Sequence, residues 1–348
     1  MRAAIIREHG GLDAIQVETV PDPVVGDQEA LIEVRACALN HMDLWARKGI
    51  PGFNFPLPLV PGCDIAGVVR QAPGWEPGTE VVIQPVFSCG ICDRCLEGKE
   101  NLCEKFGIIG ETQDGGCAEL VVVPAANLVK KPSNLTFSEA AAYPLTMLTA
   151  WHMLVTRGGV KHGQTVLVHA AGSGVGSAAV QIAALFGATV IATAGSKEKC
   201  ENALALGAHH AINYREDEKW WRTARALNNG TGMDLVVEHV GKATFDGSLR
   251  ALRAGGSLVT CGATTGAVFP VAINRVFFKN LNIIGSTMGT KAELHALSEH
   301  VARGELKPVV DRILPLDAIH EAHRVLENRE AFGKIVITPS AVASASDE

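Results

Sequence analysis

Residues 165–186 read TVLVHAAGSGVGSAAVQIAALF, and the fold class follows from this stretch. An apolar, β-branched run at 165–169 predicts a buried strand, and an Ala-rich run at 174–186 predicts a helix. Between them lies a turn of small residues, Ala170–Gly176. Small side chains let the backbone approach a pyrophosphate, and the helix N-terminus offers free N–H groups and a favourable dipole. The stretch therefore predicts a strand, turn and helix that bind a dinucleotide.

The glycine pattern of this turn departs from its strict form. The pattern G-x-G-x-x-G is not met, because the third position counted from Gly172 is Ser177. The register that fits better is Ala171, Ser173 and Gly176, in which small residues replace two glycines. The predicted cofactor contacts of the turn are Ala171, Gly172, Ser173, Gly174, Val175 and Gly176.

The chain around the turn alternates strands with helices. A strand is predicted at 189–193 and a helix at 197–206. Further strands are predicted at 235–238, 257–261 and 282–285. Strands separated by helices of this length form a parallel, doubly wound sheet, so the fold class is α/β. Before this region, residues 1 to 130 are predicted to be β-rich, and a long helix is predicted at 137–155.

The residues after the second strand bear on which dinucleotide binds. An NAD site typically places Asp or Glu about 20 residues after the glycine turn, where the carboxylate bonds the ribose 2′-hydroxyl. The corresponding residues here, 193–197, read TAGSK and contain no acid. Ser196 and Lys197, with Tyr214 and Arg215 after the following strand, would accept a 2′-phosphate, so NADP(H) is favoured over NAD(H). Ser196 would also serve as a helix cap and Lys197 as a solvated first-turn residue, and both roles are compatible.

Four cysteines with metal-ligand spacing lie in CGICDRCLEGKENLC. The spacing C-x2-C-x2-C-x7-C allows four thiolates to converge on one soft cation, and Zn²⁺ is the usual one. Four protein thiolates close the coordination sphere, so the predicted site is structural, with one zinc per chain. The alternatives are a disulfide pair, unrelated surface cysteines and an iron–sulfur cluster, but the ferredoxin run has its fourth Cys after three residues, followed by Pro. The predicted zinc ligands are Cys89, Cys92, Cys95 and Cys103.

Composition excludes several partners. The length of 348 residues suggests two domains, and 47% hydrophobic residues supply their cores. The net charge of −6 argues against a nucleic acid or an anionic membrane as partner. Residues 178–196 are uncharged, but Gly187 and the β-branched run after it split them into a helix and a strand. Nine cysteines, four of them in a metal pattern, indicate a reducing compartment. We therefore expect a cytoplasmic protein with a small-molecule substrate.

Four segments together carry a resemblance to a known superfamily. They are PGCDIAGVV at 61–69, the four-cysteine segment at 89–103, HAAGSGVGSAAVQIA at 169–183 and GKIVITP at 333–339. On these segments the chain resembles the medium-chain dehydrogenase/reductase superfamily of zinc alcohol dehydrogenases and quinone oxidoreductases. The resemblance covers essentially the whole chain.

The domain organisation is implied by this resemblance. It implies a GroES-like, β-rich catalytic domain formed by residues 1–130 and 288–348, with a structural zinc lobe at 89–103. Residues 131–287 would form a Rossmann dinucleotide-binding domain. Relatives form oligomers, so a homodimer or a homotetramer is expected.

The resemblance also implies that the catalytic zinc is missing. In zinc alcohol dehydrogenases the first ligand is a Cys in a C-x-[ST]-D segment, and this Cys matches Asn40. The hydroxyl that takes the alcohol proton matches Met42. The His of the family's G-H-E motif matches Cys63, and the third ligand matches Leu145. A catalytic zinc needs three protein ligands and an open position, and two of these three residues cannot bind it.

Two alternatives stand beside this interpretation. Cys63 and Asp64, with His41 or Cys37, are zinc-competent residue types and would form a remodelled metal site in an unusual alcohol dehydrogenase. In the other alternative, the chain binds a dinucleotide with little catalysis and serves as a sensor or a structural protein.

Without the catalytic metal, hydride transfer needs an acceptor that spreads its developing negative charge. A quinone or an α,β-unsaturated carbonyl does so, whereas a plain ketone does not. Residues 38–49 also resemble the zinc-independent quinone oxidoreductase branch. The expected function is therefore NAD(P)H-dependent hydride transfer to a quinone or an activated carbonyl.

Five residues receive roles under this hypothesis. Asn40 would contact the substrate and Asp43 would orient the segment around it. Tyr143 is either a proton donor or a packing aromatic residue. His41 and Lys334 match positions near the cofactor pyrophosphate in relatives, and the alternative for both is a solvated surface residue.

Overall fold

The computed structural model describes residues 1–339. The chain forms two compact units: Met1–Leu145 together with the chain from Thr290 onward, and Thr146–Gly289. The sequence places these borders at 130/131 and 287/288 instead. The first border lies later in the chain because a short helix, Phe137–Ala141, packs on strands of the first unit.

The N-terminal part of the first unit is built mainly from strands. These are β1 (Arg2–Ile6), β2 (Ile15–Thr19), β3 (Glu29–Ala38), β4 (Asp64–Gln71), β5 (Glu80–Ile83), β6 (Val86–Phe87), β7 (Gly107–Ile108), β8 (Leu120–Pro124) and β9 (Leu128–Lys130). Its helices are α1 (His41–Lys48), α2 (Asp93–Leu96) and α3 (Phe137–Ala141). The strands β1 and β2 pair with each other, as do β6 and β7.

The second unit alternates strands with helices. Its strands are β10 (Thr165–Val168), β11 (Thr189–Ala194), β12 (His210–Asn213), β13 (Met233–Glu238), β14 (Leu252–Thr260) and β15 (Asn282–Gly285). Its helices are α4 (Pro144–Trp151), which contains the unit border, α5 (Gly174–Leu185), α6 (Lys197–Ala205), α7 (Trp220–Leu227), α8 (Phe245–Ala251) and α9 (Ile273–Phe278). The six strands are parallel, in the order β12-β11-β10-β13-β14-β15. This confirms the predicted doubly wound α/β sheet.

One predicted helix is wrong. The sequence predicts a single helix at 137–155, but this run contains α3, α4 and a π-helical segment at His152–Arg157. The break falls at Pro144, which has no N–H to donate within a helix and is suited to begin one. The Ala-rich composition predicts the helical type of this region correctly, while the proline sets its division.

The C-terminal part of the chain completes the sheet of the first unit. It contributes α10 (Lys291–Ala302), β16 (Val310–Pro315), α11 (Ile319–Glu327) and β17 (Lys334–Thr338). The seven-stranded sheet has the order β16-β17-β3-β4-β5-β9, and β8 also pairs with β3. The strand β17 is parallel to β16 and antiparallel to β3. The predicted β-rich domain is therefore confirmed as a sheet that combines strands from both ends of the chain.

The register of β17, β3 and β4 brings polar residues together. Val336 pairs with Ala38 between β17 and β3, and Ala38 pairs with Asp64 between β3 and β4. The Leu39 N–H, just beyond β3, donates to the Ile335 carbonyl at 2.8 Å. Lys334, the first residue of β17, therefore lies beside the end of β3 and the start of β4.

The uncharged segment at 178–196 divides as the sequence predicts. Its first part belongs to α5, and Thr189–Ala194 forms β11 in the middle of the parallel sheet. Among residues 1–339, no helix has both the length and the apolar character needed to cross a membrane.

Candidate functional site

A buried polar cluster lies where β3, β4 and β17 meet. The Lys334 ammonium donates to Asp64 Oδ2 at 2.7 Å and to Asn40 Oδ1 at 2.5 Å. The Asn40 amide nitrogen also donates to Asp64 Oδ2, at 2.9 Å. Lys334 is 4% exposed, Asn40 is 7% exposed and Asp64 is 0% exposed. The three side chains form a closed triangle in which the ammonium neutralises the carboxylate.

The start of α1 is fixed by the Asp43 carboxylate. Asp43 Oδ2 accepts from the Asn40 backbone N–H at 2.6 Å, and Oδ1 accepts from the Gly62 N–H at 2.9 Å. Burial raises the pKa of Asp43 to about 6, although these hydrogen bonds act in the opposite direction. Gly62 has a φ of +99°, and a Cβ there would lie 2.4 Å from Cys37 Sγ, so only glycine fits. Asp43 thus ties α1 to the Gly62 turn, and its orienting role toward a substrate stays a prediction.

The positions that match the catalytic zinc ligands of relatives lie close together, but their donor set does not suit zinc. The Asn40 amide donates to Cys63 Sγ at 3.3 Å, and the Leu145 backbone N–H donates to Asp64 Oδ1 at 2.6 Å. Both Asp64 oxygens are thus occupied. Burial raises the pKa of the Cys63 thiol well above its usual value, and neither Asn40 nor Leu145 offers a side chain that zinc binds well. These residues do not fit a catalytic zinc.

The ligand atoms of the remodelled metal site considered as an alternative do not lie within reach of one ion. Among residues 1–339, a single group of three or more His, Cys, Asp or Glu side chains has its ligand atoms within reach of one ion, and it is the four-cysteine lobe. Cys37, one of the alternative ligands, is fully buried with its Sγ 3.8 Å from Cys117 Sγ. Cys63 is likewise fully buried.

Asn40 and Lys334 already have protein partners, which limits the roles predicted for them. Both amide atoms of Asn40 are hydrogen-bonded within the cluster. Lys334 is not the solvated lysine of the alternative interpretation, because it is buried. Its ammonium uses two of its three hydrogens on Asp64 and Asn40, and one hydrogen is left for a further acceptor. A contact of Asn40 with substrate or of Lys334 with pyrophosphate stays a prediction.

Tyr143 and His41 differ in how the structure places them. Tyr143 is fully buried, with its hydroxyl 3.1 Å from Ser298 Oγ. Burial raises the pKa of Tyr143 to about 12, and this position favours the packing role over proton donation. His41 is the first residue of α1 and is partly exposed, and its predicted contact with pyrophosphate stays a prediction.

The four-cysteine lobe has the geometry of a tetrahedral metal site. The Sγ–Sγ distances are 3.6 Å for Cys89–Cys103 and Cys92–Cys95, 3.8 Å for Cys92–Cys103 and 3.9 Å for Cys89–Cys95. Four sulfurs bound to zinc at about 2.3 Å would be about 3.8 Å apart. The Lys105 backbone N–H donates to Cys103 Sγ at 3.3 Å, as expected for a thiolate ligand. The lobe therefore fits the predicted structural zinc.

The turn that opens α5 has the geometry of a pyrophosphate site. Ser173 caps the helix, because its Oγ accepts from the Gly176 N–H at 3.0 Å. A Cβ on Gly176 would lie 2.2 Å from the Ala170 carbonyl oxygen, so this position requires glycine. The first turn of α5 presents backbone N–H groups without helical acceptors. These features support the register with Gly176 in the third position.

The residues predicted near the adenosine ribose follow the neighbouring strands β11 and β12. The Ser196 hydroxyl accepts from the Lys199 N–H at 3.2 Å and so caps α6. The Lys197 side chain is 88% exposed, and its ammonium is 3.8 Å from Glu201. A Cβ on Gly195 would lie 2.6 Å from the Tyr214 hydroxyl, so this tyrosine lies directly against the turn. Ser196 thus has the capping role, and contact of this group with a 2′-phosphate stays a prediction.

Comparison with known proteins identifies the family. The model described as an alcohol dehydrogenase GroES-like domain matches residues 26–133, and the model described as a zinc-binding dehydrogenase matches residues 174–303. A quinone oxidoreductase of Pongo abelii is 30% identical over 345 residues, which cover 97% of this chain and 97% of that protein. This chain belongs to the medium-chain dehydrogenase/reductase superfamily.

Members of this superfamily that are similar to the chain bear different names. A crotonyl-CoA reductase of Streptomyces avermitilis is 30% identical over 383 residues, which cover 96% of this chain and 85% of that protein. A solved structure of a protein named NAD-dependent alcohol dehydrogenase is 48% identical, with a TM-score of 0.94, and covers 98% of this chain and 100% of its own. Membership in the medium-chain superfamily makes the chain an oxidoreductase.

Sequence reasoning missed one buried polar network in the second unit. Hydrogen bonds connect its members, and the turn Ala170–Gly176 starts directly after one of them. The members are His169, Thr193, Glu238, His239 and Ser248. The signal in the sequence is the placement of His169 after the apolar run TVLV and of Glu238-His239 after LVV. Polar residues at the carboxyl ends of parallel strands lie at the edge where ligands bind.

Proposed function

We propose that this chain is an NAD(P)H-dependent reductase of quinones or α,β-unsaturated carbonyls that works without a catalytic zinc. The observation that carries the proposal is the Lys334 ammonium, 2.7 Å from Asp64 and 2.5 Å from Asn40. It lies among the residues that match the zinc ligands of relatives. A zinc ion bound there would need protein ligands with free electron pairs. Instead, the position holds the positive charge of Lys334, and both Asp64 oxygens already accept hydrogen bonds.

Such a cluster suits acceptors that spread their charge. When an enone accepts hydride at its β-carbon, the electron pair moves to the carbonyl oxygen to form an enolate, and a proton from solvent then adds to the α-carbon. Hydrogen bonds suffice to stabilise this delocalised charge. A ketone reduced to an alkoxide holds the charge on one oxygen, and a Lewis acid helps it most. The names of the quinone oxidoreductase and crotonyl-CoA reductase relatives point to acceptors of the first kind.

Most of the residues that would hold the dinucleotide belong to the second unit. The turn Ala170–Gly176 and the N-terminus of α5 would hold the pyrophosphate. A bound nicotinamide dinucleotide would supply the hydride. We propose NADP(H) as the preferred form, because Ser196, Lys197 and Tyr214 surround a turn that lacks an acid. The 48% identical relative is named for NAD instead, so both dinucleotides belong in the test.

The second candidate is an alcohol dehydrogenase, and the name of that same structural relative favours it. In this candidate, Cys63 and Asp64 would have to rearrange to admit a metal ion. The third candidate, a dinucleotide-binding sensor or structural protein, predicts cofactor binding without turnover.

The deciding experiment combines a two-direction assay with a metal count. Purified protein is given NADPH or NADH with 1,4-benzoquinone, methyl vinyl ketone or crotonyl-CoA, and oxidation of the dinucleotide is followed by absorbance. In parallel, ethanol and benzyl alcohol are tested with the oxidised dinucleotides. We expect turnover in the first direction and about one zinc per chain by mass spectrometry. Alcohol turnover that a chelator abolishes and zinc restores, with about two zinc ions per chain, would contradict the proposal. Binding without turnover in either direction would favour the sensor.

A further inference from the structure

The buried network in the second unit joins the carboxyl ends of three neighbouring strands. His169 follows β10 and Thr193 lies in β11. Glu238 is the last residue of β13, and His239 follows it. Ser248 of α8 completes the network. All five residues are exposed by 9% or less. The dinucleotide turn starts here, since Ala170 follows His169 directly.

The hydrogens of this network can be assigned one after another. Ser248 Oγ lies 2.7 Å from Glu238 Oε2 and 2.9 Å from the Thr244 carbonyl oxygen, and both of these oxygens only accept. The shorter bond to the charged carboxylate is the stronger one, so the serine hydrogen lies between Ser248 and Glu238. Ser248 Oγ then accepts from His169 Nε2, at 2.9 Å. His169 therefore carries its hydrogen on Nε2, and its Nδ1 accepts from the Thr193 hydroxyl at 3.0 Å. The result is one directed chain from Thr193 through His169 and Ser248 to Glu238.

Glu238 is the ionised end of this chain. Its Oε1 accepts from the backbone N–H groups of Val240 at 2.8 Å and Gly241 at 3.0 Å. Burial alone would raise the pKa of Glu238, but the hydrogen bonds to the carboxylate bring it below its usual value. Burial lowers the pKa of His169 and of His239, so both imidazoles are neutral. A single negative charge thus sets the direction of every hydrogen bond in the chain.

The network also holds the first peptide of the dinucleotide turn. His239 Nε2 lies 2.8 Å from the His169 carbonyl oxygen, which only accepts, so this nitrogen carries a hydrogen. The next residue, Ala170, has a φ of +45°, a left-handed conformation that residues with a side chain disfavour. The Ala170 carbonyl fills the space next to Gly176, and its placement therefore sets how closely α5 approaches the turn.

We propose that His239, together with His169, is a positioning residue that fixes the turn Ala170–Gly176 in its pyrophosphate-binding conformation. This inference rests on the dinucleotide binding of the proposed function and adds residues that do not touch the dinucleotide. Without the His239 donor, the buried His169 carbonyl loses its partner, and nothing compensates for the strained Ala170. We expect weaker dinucleotide binding, with the rate of hydride transfer little changed once the cofactor saturates.

The test compares three variants with the wild-type protein. His239→Leu removes the donor, while His239→Gln keeps an N–H at the equivalent place. Leu249→Ala is the matched control, because Leu249 lies in the apolar core of the same unit, is 1% exposed and is absent from the network. Fluorescence titration gives the Kd for NADPH and NADH, and thermal unfolding gives the loss of stability. The kcat with 1,4-benzoquinone is measured at saturating dinucleotide.

We expect His239→Leu to raise the Kd about tenfold, which corresponds to about 1.4 kcal/mol. The kcat should stay within about twofold, in line with an effect on binding alone. His239→Gln should restore the Kd, and Leu249→Ala should lower the unfolding temperature without changing the Kd. Adenosine 2′-phosphate, or adenosine if NADH is the cofactor, does not reach the turn and should bind His239→Leu as it binds the wild type.

An unchanged Kd in His239→Leu would overturn the inference. So would a loss of affinity that Leu249→Ala reproduces or that His239→Gln fails to restore. These outcomes differ from failure of the proposed function: a wild-type protein that binds NADPH or NADH but reduces no quinone or enone fails the proposal, while the Kd comparisons still test the role of His239.

Discussion

Replacing Lys334 by Met should destabilise the first unit strongly. The Lys334 ammonium and the Asp64 carboxylate are 2.7 Å apart and almost fully buried. With an effective dielectric constant of about 20, two unit charges at this distance attract by about 6 kcal/mol. Desolvation offsets part of that attraction, and removal of one partner from a buried pair costs about 3–5 kcal/mol. We therefore expect Lys334→Met to lower the free energy of unfolding by about 3–5 kcal/mol.

The assay is urea unfolding of Lys334→Met, Asp64→Asn and the double variant. The double variant should lose less than the sum of the two single variants, because no unpaired charge is left buried. Lys48→Met is the matched control: Lys48 pairs with Glu327 at the surface, where the two side chains are 46% and 35% exposed. This control should cost about 1 kcal/mol or less. If Lys334→Met costs no more than Lys48→Met, the pair is not the buried centre of the cluster, and the reasoning from it to a zinc-free site is wrong.

Three further predictions concern stability, metal and assembly. Burial and the neighbouring Arg47 lower the pKa of His323 to about 3, below its unfolded value of about 6.5. As the pH falls, His323 is protonated in the unfolded chain before it is protonated in the folded one. The contribution of His323 to the free energy of unfolding is therefore complete above pH 6.5 and is lost below it. About 2 kcal/mol of the free energy of unfolding should be lost at pH 5 for this reason. Urea unfolding of His323→Gln should show a smaller decrease in that free energy between pH 7 and pH 5 than the wild type shows. Cys92→Ser should release the zinc, so that mass spectrometry finds about none instead of about one ion per chain. The lobe should then become sensitive to limited proteolysis. A variant that keeps its zinc in full would contradict the predicted site. The edge strand β15 and α9 expose apolar side chains, with Ile273 65% and Phe278 77% exposed. We therefore expect two chains to pair through this surface. Light scattering should then give a smaller particle for Phe278→Glu than for the wild type.

The features that could be predicted from the sequence are local ones. The turn at Ala170–Gly176 joins a strand to a helix within a few residues, and the need for glycine at Gly176 follows from that one turn. The four cysteines lie within 15 residues, so their spacing alone restricts the geometry they can adopt. The alternation of strands and helices likewise predicts the parallel sheet, because connections of this length leave few other arrangements.

The polar cluster around Lys334 could not be predicted in the same way. Lys334 and Asn40 are 294 residues apart, and they meet only because β17 pairs with β3 in one particular register. A shift of one residue would turn Lys334 to the other face of the sheet, and no local pattern fixes that shift. Tyr143 illustrates the same limit, because its partner Ser298 lies in α10. The division of the helix at Pro144, by contrast, could have been read from the proline itself.

The insertion of β17 beside β3 has a consequence for synthesis of the chain. The second unit is one continuous segment, Thr146–Gly289, and can fold as soon as that segment has left the ribosome. The first unit has to wait for Lys334–Thr338, because these residues form a strand inside its sheet. Until then, the edge of β3 that later pairs with β17 is open and Asp64 has no cation beside it. The nascent chain thus carries a finished dinucleotide domain attached to an unfinished sheet, and the step that closes the sheet also buries the charge pair.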